Sequence, residues 1–294
     1  MIHSERAETR INKENRTIRI NKLILHMLGL QGTSELHAYI GWAKSDVPKQ
    51  LFLSTLELSQ GLAYWRLMIK NKQGMLSTIT EQIADLGFSV ERIGGFTLLD
   101  KAIAEFTLKL KPGDQVPLRT QANELEKRIE KLTVKYDGPV VSYSRAELIS
   151  ELIPETTFQN SYGKLDVEFE SDAAVLRLDE RLSESLGLQA DKKYCTLSSV
   201  YVKIPLLVVR FCLLDSIAYT EAFLNEEVGS LNEFLQSAKT HFNLSSLDLS
   251  GSIDGKYFTR VYGKASTSIK DFESCIKCCP RLERESLKVV LMEE

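Results

Sequence analysis

Apolar and polar residues change their spacing at several points along the chain. Ile20, Leu23, Ile24, Met27 and Leu28 recur at helical intervals up to Gly29. Thr33 and Ser34 are suitable caps for a second helix over 35–40 that stops at Gly41. A third helix is predicted over 47–58, with Pro48 in its first turn, where a missing N–H costs little. Beyond Gly61 the order becomes strand, helix, strand, strand, helix, strand. Residues 63–70 alternate as a strand. Leu76, Ile79, Ile83 and Leu86 share a helix face that ends at Gly87. A strand over 88–98 is expected to break at Gly94-Gly95, and 102–110 alternates cleanly. Leu118, Ala122, Leu125, Ile129 and Leu132 make an amphipathic helix, and a strand over 133–143 closes the unit.

The stretch 144–204 is a mixed connecting region, with strands near 165–169 and 196–204 and a helix over 173–186 ending at Gly187. The last part repeats the earlier order. A buried-type strand over 206–214 leads to a helical stripe of Leu231, Phe234, Leu235, Ala238 and Phe242. Strands over 247–253 and 257–264 meet at Asp254-Gly255, a hairpin signal. Ile269, Phe272 and Ile276 form a helix face before Pro280, and 287–292 is the final strand. The predicted class is therefore α+β: a helical N-terminal region (1–62), two ferredoxin-like βαββαβ units (63–143 and 205–294), and the connecting region between them.

Leu67 to Leu76, followed by Ile79, Ile83, Leu86-Gly87-Phe88, Val90 and Ile93, resembles the ACT domain. That family places Asp-x-Pro-Gly-x-Leu between its first strand and first helix. Here Gly74 and Leu76 match, while Asn71 stands at the Asp position and Gln73 at the Pro position. The resemblance implies a module that binds an amino acid or a related small molecule through Asn71, Gln73, Gly74, Met75 and Leu76. The residues support such a site on their own terms. A glycine before a helix allows close backbone approach, first-turn N–H groups favour an anion, and Asn71 offers both a donor and an acceptor. The alternative is that Asn71 and Ser77 simply cap the helix while Gly74 makes the turn.

The C-terminal unit is similar to the effector-binding domain of the leucine-responsive (feast/famine) regulators. The likeness rests on Gly251 to Tyr257, the helix through Phe272, and Cys279-Pro280-Arg281-Leu282-Glu283 before the last strand. It implies Gly251, Asp254 and Gly255 as effector contacts at a subunit boundary; the alternative is a plain hairpin turn. A rival resemblance, to a chorismate-lyase-like sensor domain, draws on 182–187 and the strands after it. Both sensing modules suggest a DNA-binding head. The three predicted N-terminal helices would be a helix-turn-helix offering Lys49, Gln50 and Ser54 to base edges. The competing reading is a helical subdomain that packs on the ACT-like unit or on a partner.

Net charge modifies this picture only slightly. With 37 Lys and Arg against 40 Asp and Glu the net charge is −3, so nucleic-acid binding needs a local basic patch. The arm Arg6, Arg10, Lys13, Arg16, Arg19 and Lys22 is one, or a solvated run. Five cysteines, no apolar run of spanning length and a polar start predict a cytoplasmic chain with reduced thiols. The cluster Cys275, Cys278 and Cys279 has no second ligand pair, and core packing is the expectation for it. His3, His26, His37 and His241 are scattered. No metal, phosphate-loop or nucleophile motif is present, so no catalysis and no cofactor are expected. The predicted function is a ligand-responsive regulator, transcriptional in the first reading, with a regulatory or assembly subunit of an amino-acid metabolic enzyme as the alternative. Exposed sheet edges predict a homodimer or larger assembly.

Overall fold

The computed structural model describes residues 2–9, 16–29, 35–41, 49–58, 61–110, 117–135, 140–153, 157, 160–171, 173–190, 192, 194–201, 203–213, 217–238, 242–265, 269–279, 282 and 288–291. Three sheets are built from them. The largest joins strands from two distant parts of the chain. Four are N-terminal: β1 (Ile2–Thr9), β2 (Thr17–Asn21), β3 (Glu35–Gly41) and β4 (Gln50–Ser54). Four come later: β10 (Ser161–Phe169), β11 (Ala173–Arg177), β12 (Tyr194–Tyr201) and β13 (Leu206–Leu213). Their order is β1-β12-β13-β4-β3-β10-β11-β2, antiparallel throughout. The two ends of this order, β1 and β2, also approach each other, so the sheet curls towards closure.

Alternation explains the curl's core. Ile18, Ile20, Leu36, Ala38, Leu51, Leu53, Leu165, Leu176, Leu207 and Val209 are all buried together. Helices α1 (Lys22–Met27) and α5 (Glu180–Leu186) fill the space with Ile24, Leu182 and Leu186. Asp179 caps α5 by accepting from Leu182 N at 2.7 Å, which is why the helix expected over 173–186 is a strand in its first half.

The helical N-terminal region is thus corrected. Residues 35–40 and 50–54 are strands, because Leu36, Ala38 and Ile40 alternate inward and Tyr39 faces the other side. In β4 both faces are buried, which erases the period that would have marked it as a strand. Among the described residues of this region, only the helix expected near 20–28 is found, as the single-turn-and-a-half α1. The expected inter-helix turn lies outside the described residues.

Between β4 and β10 the chain leaves the curled sheet and forms a second unit. Its elements are β5 (Leu62–Lys70), α2 (Met75–Asp85), β6 (Phe88–Leu98), β7 (Lys101–Leu110), α3 (Leu118–Lys135) and β8 (Val140–Tyr143). The sheet order is β6-β7-β5-β8, with β9 (Glu147–Leu148) also pairing with β5. Ile79 and Ile83 of α2 and Ala122, Leu125 and Ile129 of α3 pack on Trp65, Leu67, Phe106 and Leu108. Each such fully buried aliphatic side chain contributes roughly 1.5–3 kcal/mol. Gly94-Gly95 does not break β6, which is continuous apart from a bulge between Val90 and Arg92. The helix α3 runs on to Lys135, so the closing strand begins only at Val140.

The outer face of the curled sheet meets this middle unit. Tyr39, Phe52 and Leu206 pack with Leu62, Tyr64, Ile204 and Ile149 of α4 (Ile149–Leu152). A Cβ on Gly41 would stand 2.1 Å from the Phe52 ring, so this ring position needs glycine there.

The third unit comprises β14 (Ile217–Asn225), α6 (Ser230–Ala238), β15 (Phe242–Ile253), β16 (Lys256–Ala265), α7 (Ile269–Lys277) and β17 (Lys288–Leu291), in sheet order β15-β16-β14-β17. Its first strand is β14 and not the predicted 206–214. That earlier segment, β13, is held between β12 and β4 in the curled sheet.

Candidate functional site

The loop from β5 into α2 is fixed by backbone bonds. Asn71 N–H donates to Asp100 O at 2.8 Å, Lys72 N–H to Lys70 O at 2.9 Å and Met75 N–H to Lys72 O at 3.2 Å. Gly74 is the N-cap of α2, with φ of 83° in the left-handed region. Having no side chain, it caps nothing, and neither Asn71 nor Ser77 takes the capping role. Met75 N–H is thus taken by Lys72 O, while the N–H groups of Leu76 and Ser77 have no intrahelical acceptor, as at the start of any helix.

Beside this loop lies a cleft of about 410 Å³. That volume falls in the range of small-ligand sites. The end of β5 contributes Ile69 and Lys70, the loop Asn71 and Lys72, and the first turn of α2 Met75 and Leu76. Ile93 to Thr97 of β6 and Ala102 to Ala104 of β7 complete it. Much of the apolar wall is open to solvent: Leu76, Ile93 and Phe96 are 45%, 45% and 59% exposed. Gly95 is required by the wall itself, since a Cβ there would lie 2.5 Å from Ile103 O. At Gly74 a Cβ would meet nothing within 4 Å, so that glycine serves the backbone angle and not close packing.

Of the residues singled out in the sequence, Asn71, Met75 and Leu76 come together in this cleft, while Gln73 and Gly74 belong to the same loop but not to its wall. Gly251, Asp254 and Gly255 do not line it. Asp254 and Gly255 have φ of 52° and 73°, the two positive angles of a tight hairpin, and this accounts for them as turn residues. Gly251 lies beside an irregularity in the β15–β16 register. Lys49 and Gln50 are half-buried at the start of β4. Ser54 is fully buried, donating to Pro205 O at 2.7 Å and accepting from Leu56 N–H. No helix carries these three residues, so the base-reading arrangement expected of them does not exist. Within the basic arm, Arg16 and Arg19 pair with Glu180 and Glu170.

A polar cluster between the units had no sequence signal. Glu147 of β9 accepts from both Lys203 Nζ and Tyr201 OH, across the boundary with the curled sheet. Lys203 Nζ also sits 5.1 Å over the Tyr64 ring, and Thr107 Oγ1 donates to Lys203 O at 3.3 Å. Tyr64 OH donates to Glu105 at 2.8 Å. Burial and the carboxylate partner push the pKa of both tyrosines upward, so they stay protonated donors. Burial pushes the Glu147 carboxyl upward, but the Lys203 and Tyr201 hydrogen bonds outweigh it and hold the group below its ordinary value. Such pairs were invisible because the partners lie more than fifty residues apart in sequence.

Among the described residues there is no metal-ligand cluster of His, Cys, Asp and Glu, and no helix long and apolar enough to cross a membrane. Cys279 is buried and Cys278 exposed; the side chain of Cys275 lies outside the described residues.

No family model matches the sequence. No curated protein matches it either. Solved structures do align with it. One is a provisionally assigned glycine cleavage system transcriptional repressor, at 6% identity and TM-score 0.25, covering 79% of this chain and 98% of that one. Another is the regulatory subunit of aspartate kinase from Thermus thermophilus, at 10% identity and TM-score 0.22, covering 80% and 98%. A third is the acetolactate synthase small subunit from Thermotoga maritima, at 10% identity and TM-score 0.21, covering 78% and 91%. TM-scores this low do not establish a shared overall fold.

Proposed function

We propose that this chain is a ligand-responsive regulatory protein whose middle unit binds a small metabolite, an amino acid or a close relative, in the cleft beside the β5–α2 loop. The observation that carries the reading is the cleft itself: about 410 Å³ of open, largely apolar space ringed by Asn71, Lys72 and the first turn of α2. A polar end held at the loop and an apolar body on Ile93 and Phe96 is the chemistry it suits. The exposed edge strand β6 favours pairing with a second copy, which makes the active form a homodimer or larger. Binding acts by favouring one arrangement of units over another, and only to the extent that affinity differs between them. The strand Gln50–Ser54, which carries the residues proposed to read bases, favours the reading as a regulatory or assembly subunit over that of a DNA-binding repressor.

A thermal-shift screen of the twenty amino acids and common metabolites, followed by calorimetry, tests this. At least one compound raises the melting temperature and binds the cleft. Gly74→Asn, which tolerates the left-handed angle, retains binding, whereas Gly74→Val strains the loop by about 1–3 kcal/mol and weakens it. Equal affinities for the two variants and the parent would remove the loop from the site.

A further inference from the structure

The register of the curled sheet sets two of the chain's five cysteines against each other. Cys195 of β12 and Cys212 of β13 are direct Cα partners in an antiparallel pair. The pairing runs without irregularity through eight consecutive positions, from Tyr194 and Leu213 to Tyr201 and Leu206. Tyr194, Thr196 and Phe211, the chain neighbours of the two cysteines, are all buried, and a slip of one residue would turn them to the other face. The opposition of 195 and 212 is therefore fixed by the sheet. Facing residues of an antiparallel pair stand about 4.5 or 5.5 Å apart at their Cα atoms, according to whether that pair is hydrogen-bonded. A disulfide accepts Cα separations of roughly 4.4–6.8 Å. Either kind of position meets that requirement with no rearrangement of the backbone. Cys278 and Cys279, by contrast, are chain neighbours just past α7, one exposed and the other buried.

We propose that Cys195 and Cys212 are a redox-sensitive pair that closes a reversible cross-strand disulfide, with glutathione disulfide or a small disulfide of that class as the oxidant. One cysteine thiolate attacks a sulfur of the oxidant and expels a glutathione thiolate, leaving a mixed disulfide. The second thiolate attacks the protein sulfur of this adduct and expels the other glutathione thiolate. The two protons released by the cysteines end on the two glutathione thiols, and two electrons pass from the protein to glutathione. The bond ties β13 to β12 just before the chain passes on to β14 at Ile217. Closing the loop 195–212 also restricts the unfolded chain, so the oxidised sheet is the more stable one. Transient pairs of this sort are the form in which disulfides occur in reducing compartments.

Peptide mapping of the native full-length chain tests the assignment. The chain is incubated with glutathione disulfide, blocked with iodoacetamide and digested with trypsin, which cuts after Lys193, Lys203, Arg210 and Lys239 and so puts the two cysteines on different peptides. The expected result is that peptides 194–203 and 211–239 are recovered joined, as the major disulfide-linked product, and that dithiothreitol releases them. Cys278→Ser, at an exposed position outside the curled sheet, leaves the yield of joined peptides unchanged. Absence of the joined peptides from the parent chain overturns the proposal, as does a mixture in which all five cysteines are linked without preference. Loss of the joined product in Cys278→Ser overturns it too, because the link would then depend on a thiol outside the pair.

Discussion

Glu147 is a carboxylate whose partners belong to a different part of the fold, and this gives it a recognisable pH signature. Its folded-state pKa is depressed, through Lys203 and Tyr201, against the upward pull of burial. A depressed carboxylate contributes stability that is present above its ordinary, unfolded value and is lost as pH falls through the lower folded value. Glu151, held down by Arg119, acts in the same direction. The expected outcome is a decline in stability on the acid side, beginning as pH drops into the usual carboxylate range. Glu147→Gln should be less stable than the parent at neutral pH and should flatten that decline. Urea midpoints between pH 3 and 7 measure both effects, and parallel curves for variant and parent would remove Glu147 from the acid response. Tyr162 extends the same logic in the alkaline direction: burial first, then its bond to Asp179, push its hydroxyl up to about 12, so it remains a donor across the whole working range.

Elements were legible where one face is wet. The helix α2 was readable because Ile79 and Ile83 are buried while the residues around them are polar, and Gly87 marked its end. The hairpin at Asp254-Gly255 was readable because only certain residues accept two positive φ angles in succession. Illegible elements were those buried on both sides. β4 carries Leu51, Phe52 and Leu53 inward and outward without alternation, and a short apolar run of that sort suits helix or strand equally. The cleft was half legible. The loop carried a pattern, but its far wall on β6 did not, since nothing local distinguishes Ile93 and Phe96 from core residues. Their exposure is what marks them. From Ser89 onward every residue of β6 is exposed, with Val90, Ile93, Phe96 and Leu98 among them, on the open edge of the middle sheet. An apolar edge of this length is a template for another strand. Phe96→Lys should therefore lower the molecular mass in solution to that of the monomer while the helical signal is retained, as read by light scattering and circular dichroism. A parent chain that is already monomeric at tens of micromolar would end the case for this edge.

At the scale of the whole molecule, sequence order and spatial order part company. The curled sheet is made from residues on both sides of the middle unit, so segmenting the chain at 62, 144 and 204 cuts through it. Those boundaries followed changes of pattern, and pattern reports on local periodicity, not on which strand finds which. The clearest test is truncation. A chain ending at residue 204 lacks β13, the strand that joins β12 to β4, and should lose the cooperative unfolding of the curled sheet. A melt as sharp as that of the full chain would show that the sheet does not depend on β13. The same topology sets a timetable for the growing polypeptide. Leaving the ribosome, the middle unit has all its strands once Tyr143 and Leu148 have emerged, and their pairings close within the stretch from Leu62 to Leu148. Ile2, by contrast, must wait for Tyr201, with which it pairs. Long-range pairing is slow because loop closure must be met first. Through much of synthesis, then, the N-terminal strands are unsatisfied edges beside an already folded neighbour, and the middle unit becomes the platform on which the outer face of β3 and β4 first finds cover.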